Sequence, residues 1–312
     1  MIISFPSGSP LGKLFKVIDR GITMFGKEKY RIINENLNKR FQEKGCLIAQ
    51  HRGARCGNIV GNSMLAFKTA LLLGADMFEM DVSRSTDGTL YCYHDTTEDL
   101  NLRLHTNIEK LSDRVIGELE QYNTIWEPSG YGVQLMEEVV AAFNHGELYN
   151  VDRSWGKLQE TFALLNKYHH CIQQALLKAP VKKEILDQYE RESTKFMFMP
   201  IVYKPEEIEL TLSYDNINVV GFELIVRDEH DTLWSDELIG ELHKKGYFVW
   251  ANAITLSKME KHILSAGFDD DRSIAEGFDK GWGVLMRKGF DIIQTDWPEL
   301  LSRYRDSLKD KR

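Results

Sequence analysis

Eight short apolar runs, most of them followed by a helix-length amphipathic segment, limit the fold of this chain more tightly than any single motif. They are CLIAQ (46–50), MFEMDV (77–82), LYNVD (148–152), CIQQALL (171–177), FMFMPIV (196–202), VVGFELIV (219–226), YFVWANAI (247–254) and FDIIQ (290–294). Runs that are apolar on both faces suit parallel strands covered on each side. Eight βα units over about 250 residues suit a (β/α)8 TIM barrel. A doubly wound open sheet is the competing arrangement, and no G-x-G-x-x-G or Walker A pattern favours it. The helix after the first run is expected over GNSMLAFKTALLLGAD, with Asn62 or Ser63 as cap and Gly74 as stop. A polar helical lead-in from about residue 10 to 43 ends at Gly45. The expected organisation is therefore an N-terminal helical extension (1–45) plugging the barrel's closed end, and a barrel domain (46–312).

Composition removes several function classes. Net charge is −8 over 312 residues, with no long basic run before the terminal SLKDKR, which argues against nucleic acid as a partner. No apolar run approaches the ~20 residues of a membrane span. The N-terminus lacks a basic start followed by a long apolar core, so a cytoplasmic location is expected. Cys46, Cys56, Cys92 and Cys171 form no C-x-x-C pair and are read as reduced, buried small hydrophobes.

The stretch MFEMDVSRSTDGTLYCYHD carries the chemistry. Glu79 and Asp81 share one strand face, because side chains alternate along a strand. Asp87-Gly88 is the favoured two-residue hairpin turn, which sets Val82 opposite Tyr93 and Asp81 opposite His94. The return segment TLYCYH cannot be a parallel crossover, so it is expected as an antiparallel β-hairpin flap at the barrel mouth. Catalytic groups of such barrels sit at the C-terminal strand ends. Those ends hold His51-Arg52, Glu79 and Asp81, Asp152-Arg153, Glu223, Trp250 and Asn252, and Thr295-Asp296. Three carboxylates, two histidines and an arginine on one rim suit one divalent cation, Mg2+ or Ca2+, and acid–base work on a phosphoester. Bland roles stand beside these. Asp152 can pair with Arg153 or cap a helix, Trp250 can pack rather than serve as a substrate platform, and Asp296 before Trp297-Pro298 reads best as a helix cap.

The blocks IAQHRGA, GADMFEMDVSRSTDGTLYCYHD and GFDIIQTDWPELL resemble the glycerophosphodiester phosphodiesterases over nearly all of residues 46–302. The resemblance implies that His51 and His94 are the acid and base and that Arg52 binds phosphate. It also implies that Glu79 and Asp81 bind the cation, with Asp152 aligned to a third metal carboxylate, usually glutamate. Trp250 stands as a further substrate-binding candidate. Two departures mark a divergent subgroup: Gly61 stands where the family has an acid, and Ser154 where it has a phosphate-side lysine. The expected function is metal-dependent hydrolysis of a small glycerophosphodiester-type substrate to sn-glycerol 3-phosphate and an alcohol. Its rivals are a phosphodiesterase for an opine-like sugar diester or lysophospholipid, and a catalytically inactive barrel that binds a phosphorylated ligand.

Overall fold

The structure, a computed structural model, describes residues 24–309. Ten strands follow one another along the chain: β1 (Leu47–Gln50), β2 (Met77–Arg84), β3 (Leu90–Cys92), β4 (Gln134–Leu135), β5 (Leu148–Asp152), β6 (Ala175–Pro180), β7 (Met197–Val202), β8 (Gly221–Leu224), β9 (Phe248–Asn252) and β10 (Ile292–Thr295). β1 pairs with both β2 and β10, which closes β1, β2 and β5 to β10 into an eight-stranded parallel barrel. β3 and β4 extend from β2 as an antiparallel flap. This is the (β/α)8 arrangement that the alternating pattern called for.

Two interior faces follow from strand alternation. Ile48, Phe78, Met80 and Tyr149 point outward into the main core against the helices. Leu47, Met77, Leu148, Leu176, Phe248 and Ile292 point inward and fill the closed end of the barrel. Phe25 and Leu37, upstream of β1, join that inner cluster. Phe25 stacks on Phe248 at 4.1 Å and meets Phe41 edge-on at 5.3 Å. Burying such side chains stabilises by roughly 1.5–3 kcal/mol each. The helix carrying Leu37 spans Arg31–Lys44 and ends at Gly45. The part of the expected lead-in between residues 10 and 23 lies outside the described residues.

Three local expectations are corrected. CIQQALL is not one strand: Cys171–Gln174 is a helical turn, and the strand runs from Ala175 through Lys178 to Pro180. Gln174 holds that turn in place, its Nε2 donating to the carbonyls of Phe143 (3.1 Å) and Glu147 (2.7 Å). The flap register is shifted by one residue, pairing Val82 with Cys92 rather than Tyr93. The turn causes this, since Ser85 N donates to Thr89 O at 3.0 Å and Gly88 N to Ser85 O at 3.2 Å. Three residues, not two, therefore form the loop, with Gly88 in the left-handed region at φ 93°. Cys56 is exposed, not a buried hydrophobe, whereas the other three cysteines are free and buried. Ser63 is the helix cap, accepting from Ala66 N at 3.2 Å.

Candidate active site

Parallel register assembles the acidic rim. Asp81 on β2 pairs with Asp152 on β5, and Glu79 with Asn150. Three carboxyls thus point into the barrel mouth from neighbouring strands. Burial, then Asp81 and Asp152, push the Glu79 carboxyl well above its ordinary range, despite Arg52. Burial also raises Asp152 to about 6; Lys178 opposes this, while Glu223 and Asp81 add to it. Asp81 behaves differently. Burial pushes it up, but Arg52, His94, His51 and the Asn62 hydrogen bond outweigh that and hold it below its ordinary value.

Arg52 is the hub. Its backbone N donates to Glu79 Oε2 at 2.6 Å, and its Nε meets Asp81 Oδ2 at 3.0 Å. This requires a left-handed backbone at Arg52, φ 56°, at the end of β1. The next residue, Gly53, is also left-handed, and a Cβ there would lie 2.6 Å from the Ala66 backbone. The chain turns tightly at this point because only glycine fits. Asn62 fixes the other side of Asp81, donating from Nδ2 to Oδ2 at 2.9 Å and accepting from Asp81 N at 3.0 Å.

The two histidines come from different elements, His51 just after β1 and His94 just after β3. His51 continues the inward face of β1, and its Nδ1 lies 3.1 Å from Asp296 Oδ1. Asp296 therefore turns its carboxylate to His51 and is not the expected helix cap. Its position rests on the buried Asp270, whose Oδ2 accepts from Asp296 N at 2.8 Å and whose Oδ1 accepts from Thr295 (2.7 Å) and Trp282 (2.8 Å). Burial raises Asp270 to about 7 even against those donors. His94 lies past the end of β3, so its approach to Asp81 is not the expected cross-strand pairing. Its Nδ1 is 2.7 Å from the Asp95 carbonyl. Burial lowers the His94 pKa; Asp81 opposes this, and Arg52 and Arg153 add to it.

Two placements depart from the sequence reading. Trp250 offers no face to a substrate: it is fully buried, its ring is covered by Lys178 Nζ at 3.5 Å, and its Nε1 donates to Asn252 at 2.8 Å. Lys178 lies one residue past the apolar run that ends at Leu177, inside the observed strand. This fully buried lysine pairs with Glu223 at 2.6 Å and donates to Gln294 at 3.2 Å. The alternation from Leu176 to Lys178 was the available signal. A third cation, Arg153, also has a left-handed backbone and pairs with Asp95 beside His94.

The donor set of Glu79, Asp81 and Asp152 is all oxygen, which suits a hard divalent cation, and its mutual repulsion is what such a cation would relieve. Among the described residues, no three or more His, Cys, Asp or Glu side chains stand close enough to hold a metal as placed, and Arg52 contacts oxygens of Glu79 and Asp81. No helix among the described residues is long and apolar enough to cross a membrane.

Residues 51–201 match the model of the glycerophosphoryl diester phosphodiesterase family, and residues 198–305 match a domain of unknown function. No curated protein matches the chain significantly. Among solved structures, a glycerophosphoryl diester phosphodiesterase from Parabacteroides distasonis superposes with a TM-score of 0.68 at 19% identity, covering 84% of this chain and 87% of that one. The corresponding enzyme from Agrobacterium tumefaciens gives 0.56 at 18% identity, over 84% and 99%. An Oleispira antarctica phosphodiesterase, solved with its product sn-glycerol-3-phosphate, gives 0.58 at 17% identity, over 85% and 96%. At these identities the structural likeness speaks for the fold alone.

Proposed function

Because the chain belongs, through residues 51–201, to the glycerophosphoryl diester phosphodiesterase family and is a phosphoric diester hydrolase, we propose that it cleaves a small glycerophosphodiester to sn-glycerol 3-phosphate and an alcohol. His51 and His94 are the acid–base pair, Arg52 binds the phosphate, and Glu79, Asp81 and Asp152 hold one divalent cation, Mg2+ or Ca2+. Among the described residues, 46–309 form the phosphodiesterase domain, with 24–45 as an extension on its closed end. The observation that supports this reading is the contact of Arg52 with both Glu79 Oε2 (2.6 Å) and Asp81 Oδ2 (3.0 Å), with Asp81 in register with Asp152.

Water oxygen forms the new bond to phosphorus as the bond from phosphorus to the alcohol oxygen breaks. One histidine takes the proton from water and the other gives a proton to the departing alkoxide. His94 suits the first role. Its Nδ1 faces a carbonyl, which can only accept, so Nδ1 keeps its hydrogen and Nε2 is left as the base. His51, held through Nδ1 by Asp296, is left as the donor through Nε2. Arg52 faces the charge that develops on the phosphoryl oxygens. A bound cation at the three carboxyls supplies further electrostatic stabilisation of that charge.

The test is release of alcohol and phosphomonoester from a panel of glycerophosphodiesters, sugar diesters and lysophospholipids, with and without EDTA. Turnover of a glycerophosphodiester that EDTA abolishes and Mg2+ or Ca2+ restores is expected. Hydrolysis confined to the other two groups would replace the substrate assignment. Full activity of both His51→Ala and His94→Ala on a cleaved diester would end the two-histidine mechanism.

A further inference from the structure

A cavity of about 90 Å³ opens directly beside Arg52 and His94, between the segment 52–62 and the flap. Its walls include Arg52, Arg55, Asn62, His94, Asn101 and Gln121, and none of the described side chains lining it is acidic. This contrasts with the carboxyl-rich centre next to it. Arg52 is already engaged with Asp81. Arg55 is not comparably engaged. Its one ion pair among the described residues is Nη2 to Asp296 Oδ2 at 3.6 Å, longer than a hydrogen bond, and Asp296 already faces His51 with its other oxygen. Arg55 is about half exposed, with 46% of its side chain accessible.

The cavity is built rather than incidental. Asn58 Nδ2 donates to Ser129 O at 2.8 Å, and Asn123 Nδ2 donates to Asn58 Oδ1 at 3.0 Å, so the two segments that form it are tied together. Gly61 lines it and leaves it open: a Cβ there would sit 3.8 Å from Arg55 Cδ, in ordinary contact. A compact pocket whose charged walls, Arg52 and Arg55, are both basic suits a second anion better than a cationic headgroup.

We infer that this cavity is a subsite for a second anionic group, a carboxylate or a phosphate, carried a few bonds from phosphorus by the substrate, with Arg55 as its specificity-determining residue. The inference rests on the phosphodiesterase reading for its substrate class, but its test does not depend on turnover. Two phosphomonoester probes are compared by calorimetric titration of the full chain: phosphorylated 3-hydroxypropanoate and the corresponding phosphorylated 3-hydroxypropanamide. The carboxylate probe should bind about tenfold more tightly to the wild type, the scale of one charge-assisted contact. That ratio should fall to about one in Arg55→Gln. Gly61→Glu, which brings a carboxylate to Arg55, should remove the preference as well. Equal binding of the two probes by the wild type, or a preference that survives Arg55→Gln, overturns the subsite.

The matching diesters of glycerol phosphate provide the turnover arm, where kcat/KM should follow the same order. If neither diester is cleaved while the binding ratio holds, the proposed reaction fails and the subsite stands. If both are cleaved equally and bound equally, the reverse is true.

Discussion

Both ends of this barrel bury a histidine–aspartate pair and an arginine–aspartate pair, yet the two ends are balanced differently. At the closed end His243 Nε2 meets Asp291 at 2.8 Å and Arg305 meets Asp76, and a strand N–H also donates to each carboxylate, from Val249 and from Ile48, both at 2.9 Å. At the mouth His51 meets Asp296 and Arg52 meets Asp81, but Glu79 and Asp152 crowd the same point. One basic partner per carboxylate is what a structural pair looks like. An excess of buried carboxyls that destabilise one another marks a place kept for a ligand.

The sharpest way to break that contrast is to remove one histidine from each end. His94→Ala should lower turnover by roughly 10²–10⁴ while the denaturation midpoint stays near wild type. His243→Ala should do the reverse, with activity per folded molecule retained and stability reduced by about 1–3 kcal/mol in urea titration. If His243→Ala abolishes activity without unfolding, the two ends are not functionally distinct. Next in size, Arg305→Met strands Asp76 in the core and should cost about 3–5 kcal/mol, read by the same titration.

Smaller and opposite in sign is Asp152→Asn. Removing one of the crowded carboxyls should raise stability in EDTA at pH 8 by about 1 kcal/mol and weaken Mg2+ or Ca2+ binding in calorimetry. A loss of stability instead would place Asp152 with the structural pairs. The remaining test is one of pH. The folded, cation-free chain holds the Asp152 proton up to about 6, against an ordinary value of 3.8. It therefore binds more protons than the unfolded chain across that window, and its stability in EDTA should fall as pH rises from about 4 to 6. Cation affinity should climb over the same interval, by up to about tenfold per unit for one displaced proton, and level off above it. Asp152→Asn should flatten both slopes.

Much of this was legible in residue order. Eight apolar runs set the barrel, and the spacing of Glu79 and Asp81 put both on its inner face. What escaped was decided by contacts between distant segments. A two-residue turn and a three-residue loop both accept Asp87-Gly88, and only Ser85 bonding to Thr89 selects the latter. Asp296 is as good a cap by local rules as it is a partner for His51, and the choice depends on Asp270, 26 residues earlier, gripping its backbone. Lys178 falls outside its apolar run because a helical turn, pinned by Gln174 to the carbonyls of Phe143 and Glu147, displaces the start of its strand. The flap cavity has no signature in local order at all, since its walls come from three separate stretches.

The aromatic stopper made by Phe25, Phe41 and Phe248 has a consequence for traffic. With its floor sealed by these described residues, reactant, water and both products share the doorway at the mouth. Whatever leaves last governs when the next molecule can come in.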